Sequence, residues 1–452
     1  MNRLALRLGI DRAVFFTLMG RGWNVGAGLI TLFFVIHFLS PALQGYYYTF
    51  YSLIALQIFV ELGLNFAVVQ FASHEMAHLS WLSDGAVSGH PEAKRRLQSL
   101  MHFAFSWFGV AALLMMTLLL PAGLYFFNSG QSDRIAVSIA IPWILLVIFT
   151  AANLFVTAAV AILEGCGKVA DVAVLRLWQS ILSVGVGWVV LSLGGHLYAL
   201  AANSFMMALV GFFLLWDKYR VFFKDMYAHP TQLRGMSWRD EIWPFQWRIA
   251  LSWMSGYLVF QLFTPLLFKT DGPVVAGQMG MSLQIIGAMN GFAMSWITTK
   301  APMYGQLIAT NQRKKMDELF VAGLVQSFSF LLVGVVSVWL LLFFLNQTAS
   351  PYAVRVLPVP LFSLLCVVCL ANHIVFAEAA YLRAHKQEPF MLLSIAAGLV
   401  TAILALLFVP PFSAAGAVYA YTIPALLIGL LCGTVIFISK RKQWNRTPSV
   451  VV

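Results

Sequence analysis

The sequence predicts an all-α polytopic membrane protein: about twelve transmembrane helices in two six-helix lobes, with both termini cytoplasmic. Three observations carry this. Hydrophobic residues make up 61% of the chain, charged residues only 10%, and the mean hydropathy is +0.84; a soluble chain carries about 25% charged residues. Apolar stretches of about 20 residues, the length that crosses hydrocarbon, recur from end to end. Basic residues crowd alternate connections. The inside set runs from Arg3, Arg7 and Arg12 through Lys94, Arg95, Arg96, Lys218, Arg234, Arg313, Lys314, Lys315 and Lys386 to Lys440, Arg441 and Lys442, whereas the outside holds Arg134, Lys269 and Arg355. This positive-inside bias sets the orientation and accounts for the net charge of +11, so no nucleic-acid partner is implied.

Expected spans are 13–39, 46–73, 99–125, 136–163, 172–193, 197–216, 249–268, 274–300, 319–345, 354–381, 389–409 and 414–438, with limits good to about four residues. They divide into an N-lobe (1–216), a cytoplasmic linker (217–248), a C-lobe (249–438) and a basic tail (439–452). The first span has no small-residue cleavage site after it and is read as an uncleaved helix.

The first helix carries Thr17, Arg21, Asn24, Gly28 and Thr31 on one face. A charge at the centre of a membrane helix costs about 2.5–3.5 kcal/mol on insertion scales. Arg21 therefore either lines a wet cavity or snorkels to the cytoplasmic headgroups. The second helix carries Gln57, Glu61 and Asn65 four apart on one face. A lone buried carboxylate needs a cation or a proton, and Arg21 is a candidate partner. Glu61 serves either as a charge-pair or proton-coupling site, or as an interhelical packing bond.

His74-Glu75-Met76-Ala77-His78 matches H-E-x-x-H. On a helix both imidazoles would share a face, able to bind zinc with Glu75 as base. A third ligand is needed, with Glu164 and Glu378 as the remaining candidates; a solvated helix where the second span leaves the membrane is the other reading. The fifth helix brings Arg176, Gln179, Ser180 and Ser183 near its cytoplasmic end. The linker, with Arg234, Trp238, Arg239, Trp243 and Trp247, suits a segment at headgroup level. Arg248, Ser252 and Ser255 open the seventh helix, and Gly280, Gln284, Gly287, Gly291 and Ser295 line the eighth, a spacing that suits close helix packing. The tenth has Arg355 at its outer end and Asn372, His373 and Glu378 toward its inner end. Cys366 and Cys369 form a C-x-x-C inside this span and are read, with Cys166 and Cys432, as small apolar side chains.

The halves match sparsely at one constant offset: Arg21 with Arg248, Gly45 with Gly272, and Leu56-Gln57-Ile58 with Leu283-Gln284-Ile285. That favours two lobes of like orientation, with a substrate path between them. Short outer connections (40–45, 194–196, 410–413) leave no room for an external catalytic domain. No P-loop is present, so no ATPase is built in. No cofactor is implied.

Phe38-Leu-Ser-Pro-Ala-Leu-Gln-Gly-Tyr46, Glu61-Leu-Gly-Leu64, Leu163-Glu-Gly-Cys-Gly-Lys168, Pro265-Leu-Leu-Phe268, Ala276-Gly-Gln-Met-Gly280 and Lys300-Ala-Pro-Met303 carry a resemblance. The chain resembles the O-antigen-type (Wzx-like) polysaccharide flippases of the multidrug/oligosaccharidyl-lipid/polysaccharide (MOP) exporter superfamily. The resemblance implies two six-helix lobes, a central cavity, alternating access and an undecaprenyl-diphosphate-linked oligosaccharide as cargo. It also implies a bacterial inner-membrane location and no enzyme activity, with membrane lipids, a polysaccharide polymerase and chain-length proteins as partners; a monomer is the default. A cationic cavity would fall on Arg21, Arg176, Arg248 and Arg355, with Asn24, Gln57, Asn65 and Gln261 toward the sugars and Glu61 or Glu378 for ion coupling. Two alternatives stay open: a drug or metabolite exporter of the same fold, and a zinc peptidase built on His74, Glu75 and His78.

Overall fold

A backbone in hydrocarbon must satisfy its own hydrogen bonds, and the chain does so almost wholly as helix. The computed structural model describes residues 12–128, 138–227, 236–385 and 388–446. Arg3, Arg7, Arg134, Arg234, Lys386 and tail residues 447–452 lie outside the described residues. Among the described residues nine helices are long and apolar enough to cross a membrane, or ten when a pair bent by 44° counts as one span.

Packing divides the chain into two compact units: Met1–Leu39 with Leu53–Met254, and Ser40–Ser52 with Ser255–Val452. The first holds α1 (Arg12–Phe38), α3 (Ile58–Glu61), α4 (Leu64–Met76), a hairpin of β1 (Leu79–Trp81) and β2 (Val87–Gly89), α5 (Pro91–Leu114), α6 (Leu120–Asn128), α7 (Ala140–Gly165), α8 (Val169–Ser192), α9 (Tyr198–Tyr227) and most of α10 (Trp243–Phe260). Helix α2 (Pro41–Ile54) falls largely in the second unit. Ser40 caps it, its Oγ accepting from the Leu43 amide at 3.2 Å, and Pro41 suits the first turn because it has no N–H to leave unsatisfied.

Helix α7 packs against α4, α5 and α9. Its small residues let the backbones approach, as Ala and Gly do in membrane bundles. A Cβ on Gly165 would lie 2.5 Å from that of Ala72. Leu64, Ala67 and Val68 of α4, Leu97, Leu100 and Phe108 of α5, and Leu154, Ala158 and Ile162 of α7 form the buried core. The long connections expected at 74–98 and 217–248 are more ordered than their composition suggests among the described residues. α9 runs to Tyr227, the 74–98 segment contains the β1–β2 hairpin, and a wide turn at Trp238–Ile242 leads into α10.

The second unit holds the rest of α10, α11 (Phe263–Asp271), α12 (Pro273–Thr298), α13 (Ala301–Ala309), α14 (Arg313–Gln347), α15 (Val359–Ala384), α16 (Met391–Pro424) and α17 (Gly433–Arg446). Gly280 of α12 sits against Tyr48 of α2, where a Cβ would lie 2.5 Å from that of Tyr48. The region 391–444 is one apolar run of 54 residues, about 80 Å at 1.5 Å per residue, far beyond a bilayer. It doubles back after Pro410-Pro411: Ser413 has φ 53°, Gly416 packs on the Phe408 carbonyl, and Gly433 returns to Leu393 and Phe390. Tyr304, Phe320, Tyr381 and Phe437 form a buried aromatic cluster near one end, tied by Tyr381 donating to Asp317 at 2.6 Å and by Arg441 pairing with it at 2.9 Å.

Candidate functional site

In the first unit the polar face of α1 meets α8. Ser180 donates to Asn24 Oδ1 at 2.7 Å, and Trp188 Nε1–H donates to Thr31 Oγ1 at 2.9 Å. Arg12 pairs with Asp171 at 3.7 Å. Both partners rise along the chain together, so the two helices run parallel. This register sets Arg21 and Arg176 at the same level, about one turn toward the Arg12–Asp171 end from the Asn24–Ser180 bond. Arg176 is exposed and pairs with Glu164 at 2.6 Å; Arg21 is also exposed. Trp23 and Phe34 pack on the Trp188 ring, the second at 5.5 Å and nearly parallel. Beside the seam a Cβ at Gly20, Gly22, Gly26 or Gly28 would meet open space. The small residues of α1 therefore leave room rather than permit packing.

The second helix is broken where Glu61 sits. Leu62 (φ 48°) and Gly63 (φ 67°) are left-handed and end α3 before α4 begins. Gly63 is needed twice over: a side chain strains at that φ, and a Cβ would lie 2.7 Å from Ile249 Cγ2. Trp107 Nε1–H satisfies the Val60 carbonyl freed near the break, at 3.1 Å. Glu61 is 8% exposed. It makes no hydrogen bond or ion pair among the described residues, so the pairing with Arg21 is not formed in this conformation. Gln57 Oε1 and Asn65 Oδ1, one turn to either side, are likewise buried and unbonded there. The break thus collects three oxygen-bearing side chains that lack donors.

Arg248 is exposed on α10, its guanidinium 5.6 Å from the Trp247 ring. The first unit also contains an ion-pair clamp that sequence reasoning missed. Arg96 Nε donates to Glu75 at 2.7 Å and its Nη2 to Glu241 at 2.5 Å, while Lys94 pairs with Asp225 at 2.8 Å. Glu75 is the central acid of the H-E-x-x-H sequence, so its carboxylate is already engaged. α4 ends at Met76, putting His78 beyond the helix, and both imidazoles are exposed. Among the described residues no three His, Cys, Asp or Glu side chains gather as a metal site.

In the second unit Gln44 of α2 donates to the Gly277 carbonyl at 2.9 Å and to the Arg355 carbonyl at 2.8 Å. Arg355 Nη1 faces Gln44 Oε1 at 3.4 Å. Gln261 Oε1 accepts from Ser52 at 3.1 Å. Glu378 is buried, with Thr434 donating at 3.3 Å. His373 is fully buried between Asn290 Oδ1 at 3.0 Å and Ser327 Oγ at 2.9 Å, while Asn372 donates to the Tyr421 hydroxyl at 2.9 Å. The sequence flagged Asn372 and His373 but not Asn290, Ser327 or Tyr421. Those partners lie on other helices, and only the packing pairs them.

Solved structures similar over nearly the whole chain include the following three. An inward-facing MATE multidrug-resistance transporter of the MOP superfamily aligns over 97% of this chain and 99% of its own, at 12% identity and TM-score 0.67. The chain shares the fold of this structure. A MOP-superfamily transporter from Pyrococcus furiosus, described as having a binding pocket of reversed polarity, aligns over 96% of each chain at 14% identity and TM-score 0.57. The lipid II flippase MurJ, inward closed, aligns over 95% of this chain and 87% of its own at 13% identity and TM-score 0.57. By sequence, no known family and no curated protein matches the chain. The residues expected for the site divide between the two units. Arg21, Asn24, Gln57, Glu61, Asn65, Arg176 and Arg248 belong to the first unit, and Gln261, Arg355 and Glu378 to the second.

Proposed function

We propose that this MOP-fold protein is a flippase that moves a polyprenyl-diphosphate-linked oligosaccharide outward across a bacterial inner membrane, for surface polysaccharide biosynthesis. The observation that carries the reading is the α1–α8 seam. Two exposed arginines, Arg21 and Arg176, stand level with each other one turn below the Asn24–Ser180 bond, beside glycines that leave open space. A diphosphate needs such a place, because arginine forks hold it by bidentate charge-assisted hydrogen bonds. Asn24, Gln57, Asn65 and Gln261 offer amides to sugar hydroxyls, and Arg248 and Arg355 extend the cationic set. The fold is shared with a protein named as a lipid II flippase.

In this reading the chain makes twelve crossings with both termini inside. Lobes 1–216 and 249–438 alternate access, linker 217–248 joins them and tail 439–452 stays cytoplasmic. The protein works as a monomer, without a cofactor or catalytic step, and hands its product to a polymerase and chain-length proteins. Export of an anion from a negative interior is helped by the membrane potential, about 2.3 kcal/mol per charge per 100 mV. Glu61, buried without a donor, is the first candidate for ion coupling, and Glu378 the second.

The test is translocation of a labelled diphosphate-linked oligosaccharide lipid in proteoliposomes, comparing wild type with Arg21→Ala and Arg176→Ala at equal insertion. Transport by wild type, lost in either variant, supports the reading; full transport in both variants removes the seam from the site. Export of a drug is the second reading, favoured by the fold shared with a multidrug transporter, and dye efflux without lipid translocation would select it. The zinc reading loses support because Arg96 engages the carboxylate it needs as base.

A further inference from the structure

An open groove of about 380 Å³ runs along α10 in the first unit, lined by Leu62, Trp243, Trp247, Ala250, Leu251 and Met254. We infer that this groove seats the single isoprenoid tail of a lipid diphosphate when its head is engaged by Arg248, the exposed arginine of the cationic set that lies beside the groove. The inference rests on the flippase reading and says where its cargo's tail is held.

Three features point to that occupant. The lining residues are apolar, with spacings of four, three, one and three along α10 beginning at Trp243, so they form one continuous stripe. From Trp243 to Met254 the stripe extends about 16 Å at 1.5 Å per residue, close to half of a hydrocarbon core about 30 Å thick. A chain laid in it would traverse one leaflet. At the Trp243 end the groove is flanked by a cation. Arg248 is exposed, its guanidinium 5.6 Å from the Trp247 ring that lines the groove, and no carboxylate engages it among the described residues. Helical side chains lean toward their N-terminus, which brings the guanidinium to the Trp243 end. The stripe is one helix face wide, which suits a one-tailed anion better than a two-tailed phospholipid. Leu62, in the break beside Glu61, also lines the groove, and the adjoining Gly63 lies against Ile249 and Ala250, so a seated tail lies against the segment of the second helix that is already bent.

The test uses purified full-length protein in nanodiscs of neutral lipid, with geranylgeranyl diphosphate as probe and inorganic diphosphate and phosphatidylglycerol as comparators. Leu251→Trp fills the groove from an exposed position, and Arg248→Gln removes the charge. Leu251→Trp is expected to weaken geranylgeranyl diphosphate by about tenfold or more while leaving inorganic diphosphate unchanged; Arg248→Gln weakens both. Phosphatidylglycerol should compete poorly. Unchanged probe binding in Leu251→Trp overturns the inference, as does equal competition by phosphatidylglycerol, which would make the groove a general lipid surface. Met254→Trp, judged by the same criterion, replaces Leu251→Trp if the latter does not fold. Parallel translocation assays separate the two readings. Transport that survives normal probe binding in the filled groove sinks only the groove. Absent transport in wild type, with probe binding lost in Leu251→Trp, sinks the flippase reading and leaves the groove as an isoprenoid site.

Discussion

Replacing Arg96 with Met should loosen the end of the first unit where α4, α5 and the Trp238–Ile242 turn meet, in a graded way that the two ion pairs define. Arg96 reaches Glu75 at 2.7 Å and Glu241 at 2.5 Å, and the side-chain exposures are 27% for Arg96, 11% for Glu75 and 32% for Glu241. The two carboxylates respond differently. Glu75 would be left as a nearly dry, unpaired charge, which costs about 3–5 kcal/mol when a buried pair is broken. Glu241 can rehydrate, and its loss is worth about 1 kcal/mol or less. The amides of the Trp238–Ile242 turn, fastened through Glu241, should therefore exchange only about fivefold faster, since 1.4 kcal/mol is tenfold. The amides at the end of α4, beside Glu75, should exchange more than a hundredfold faster.

Hydrogen exchange read by mass spectrometry measures both segments in one sample. Adding Glu75→Gln to Arg96→Met should recover much of the α4 protection, because a neutral amide leaves no buried charge, and should leave the turn unchanged. Such non-additivity is the mark of direct coupling. If Arg96→Met leaves α4 exchange at the wild-type rate, or if Glu75→Gln does not restore it, the clamp does not hold this end together.

Gly280→Leu should cost about 1–3 kcal/mol by overpacking against Tyr48, whereas Gly28→Leu, opening onto free space, should leave thermal stability unchanged and reduce lipid translocation; detergent melting and flux read the two apart. Glu61→Gln should leave stability equal or higher, because it removes a buried carboxylate without a donor, and should abolish any dependence of transport on a proton or sodium gradient; gradient dependence retained in the variant would remove Glu61 from coupling. His385 stacks on Trp444 at 4.0 Å, and burial pulls its imidazole below the ordinary histidine range. Its neutral form therefore supports the docked C-terminal helix, fully so above the unfolded pKa near 6.5, and that support is lost as pH falls through the lower folded value. Trp444 fluorescence should change on acidification, and His385→Gln should flatten the change.

The elements were legible because hydrocarbon leaves the chain few options. A run of apolar residues about 20 long must be helix, and one polar residue per turn marks its wet or packed face. Thr17, Arg21, Asn24, Gly28 and Thr31 were readable in that way, and the α1–α8 bonds fall on this face. The break at Leu62-Gly63 was not readable. Glu-Leu-Gly inside an apolar stretch looks like uninterrupted helix until Ile249, far away in sequence, leaves no room for a Cβ. The H-E-x-x-H spelling left two readings open, a solvated helix and a zinc site, which only the fold can separate. Its chemistry needs both histidines on one helix, yet the chain turns at Ala77 to start a hairpin whose register pairs Leu79 with Gly89.

Charge pairing was the least legible layer, and it decides which cations remain for a ligand. From sequence, Arg96, Arg176 and Arg248 are equivalent: each stands at a cytoplasmic helix end. Folding separates them. Arg96 is neutralised twice, by Glu75 and Glu241; Arg176 once, by the partly buried Glu164; and Arg248 by no carboxylate among the described residues, only by the face of Trp247. An anion arriving at Arg96 must displace two well-placed carboxylates, which favours a structural role. At Arg176 it competes with one, so Glu164→Gln should tighten diphosphate binding while Arg176→Ala weakens it. At Arg248 it competes with none, and a guanidinium already resting on an indole keeps its N–H fork free for oxygens. The gradient from clamped to open cation, set by helices distant in sequence, is why Arg248→Gln should reduce binding of inorganic diphosphate more than Arg176→Ala does. Isothermal titration of both variants would rank them, and the reverse order would mean that Glu164 moves aside for the ligand.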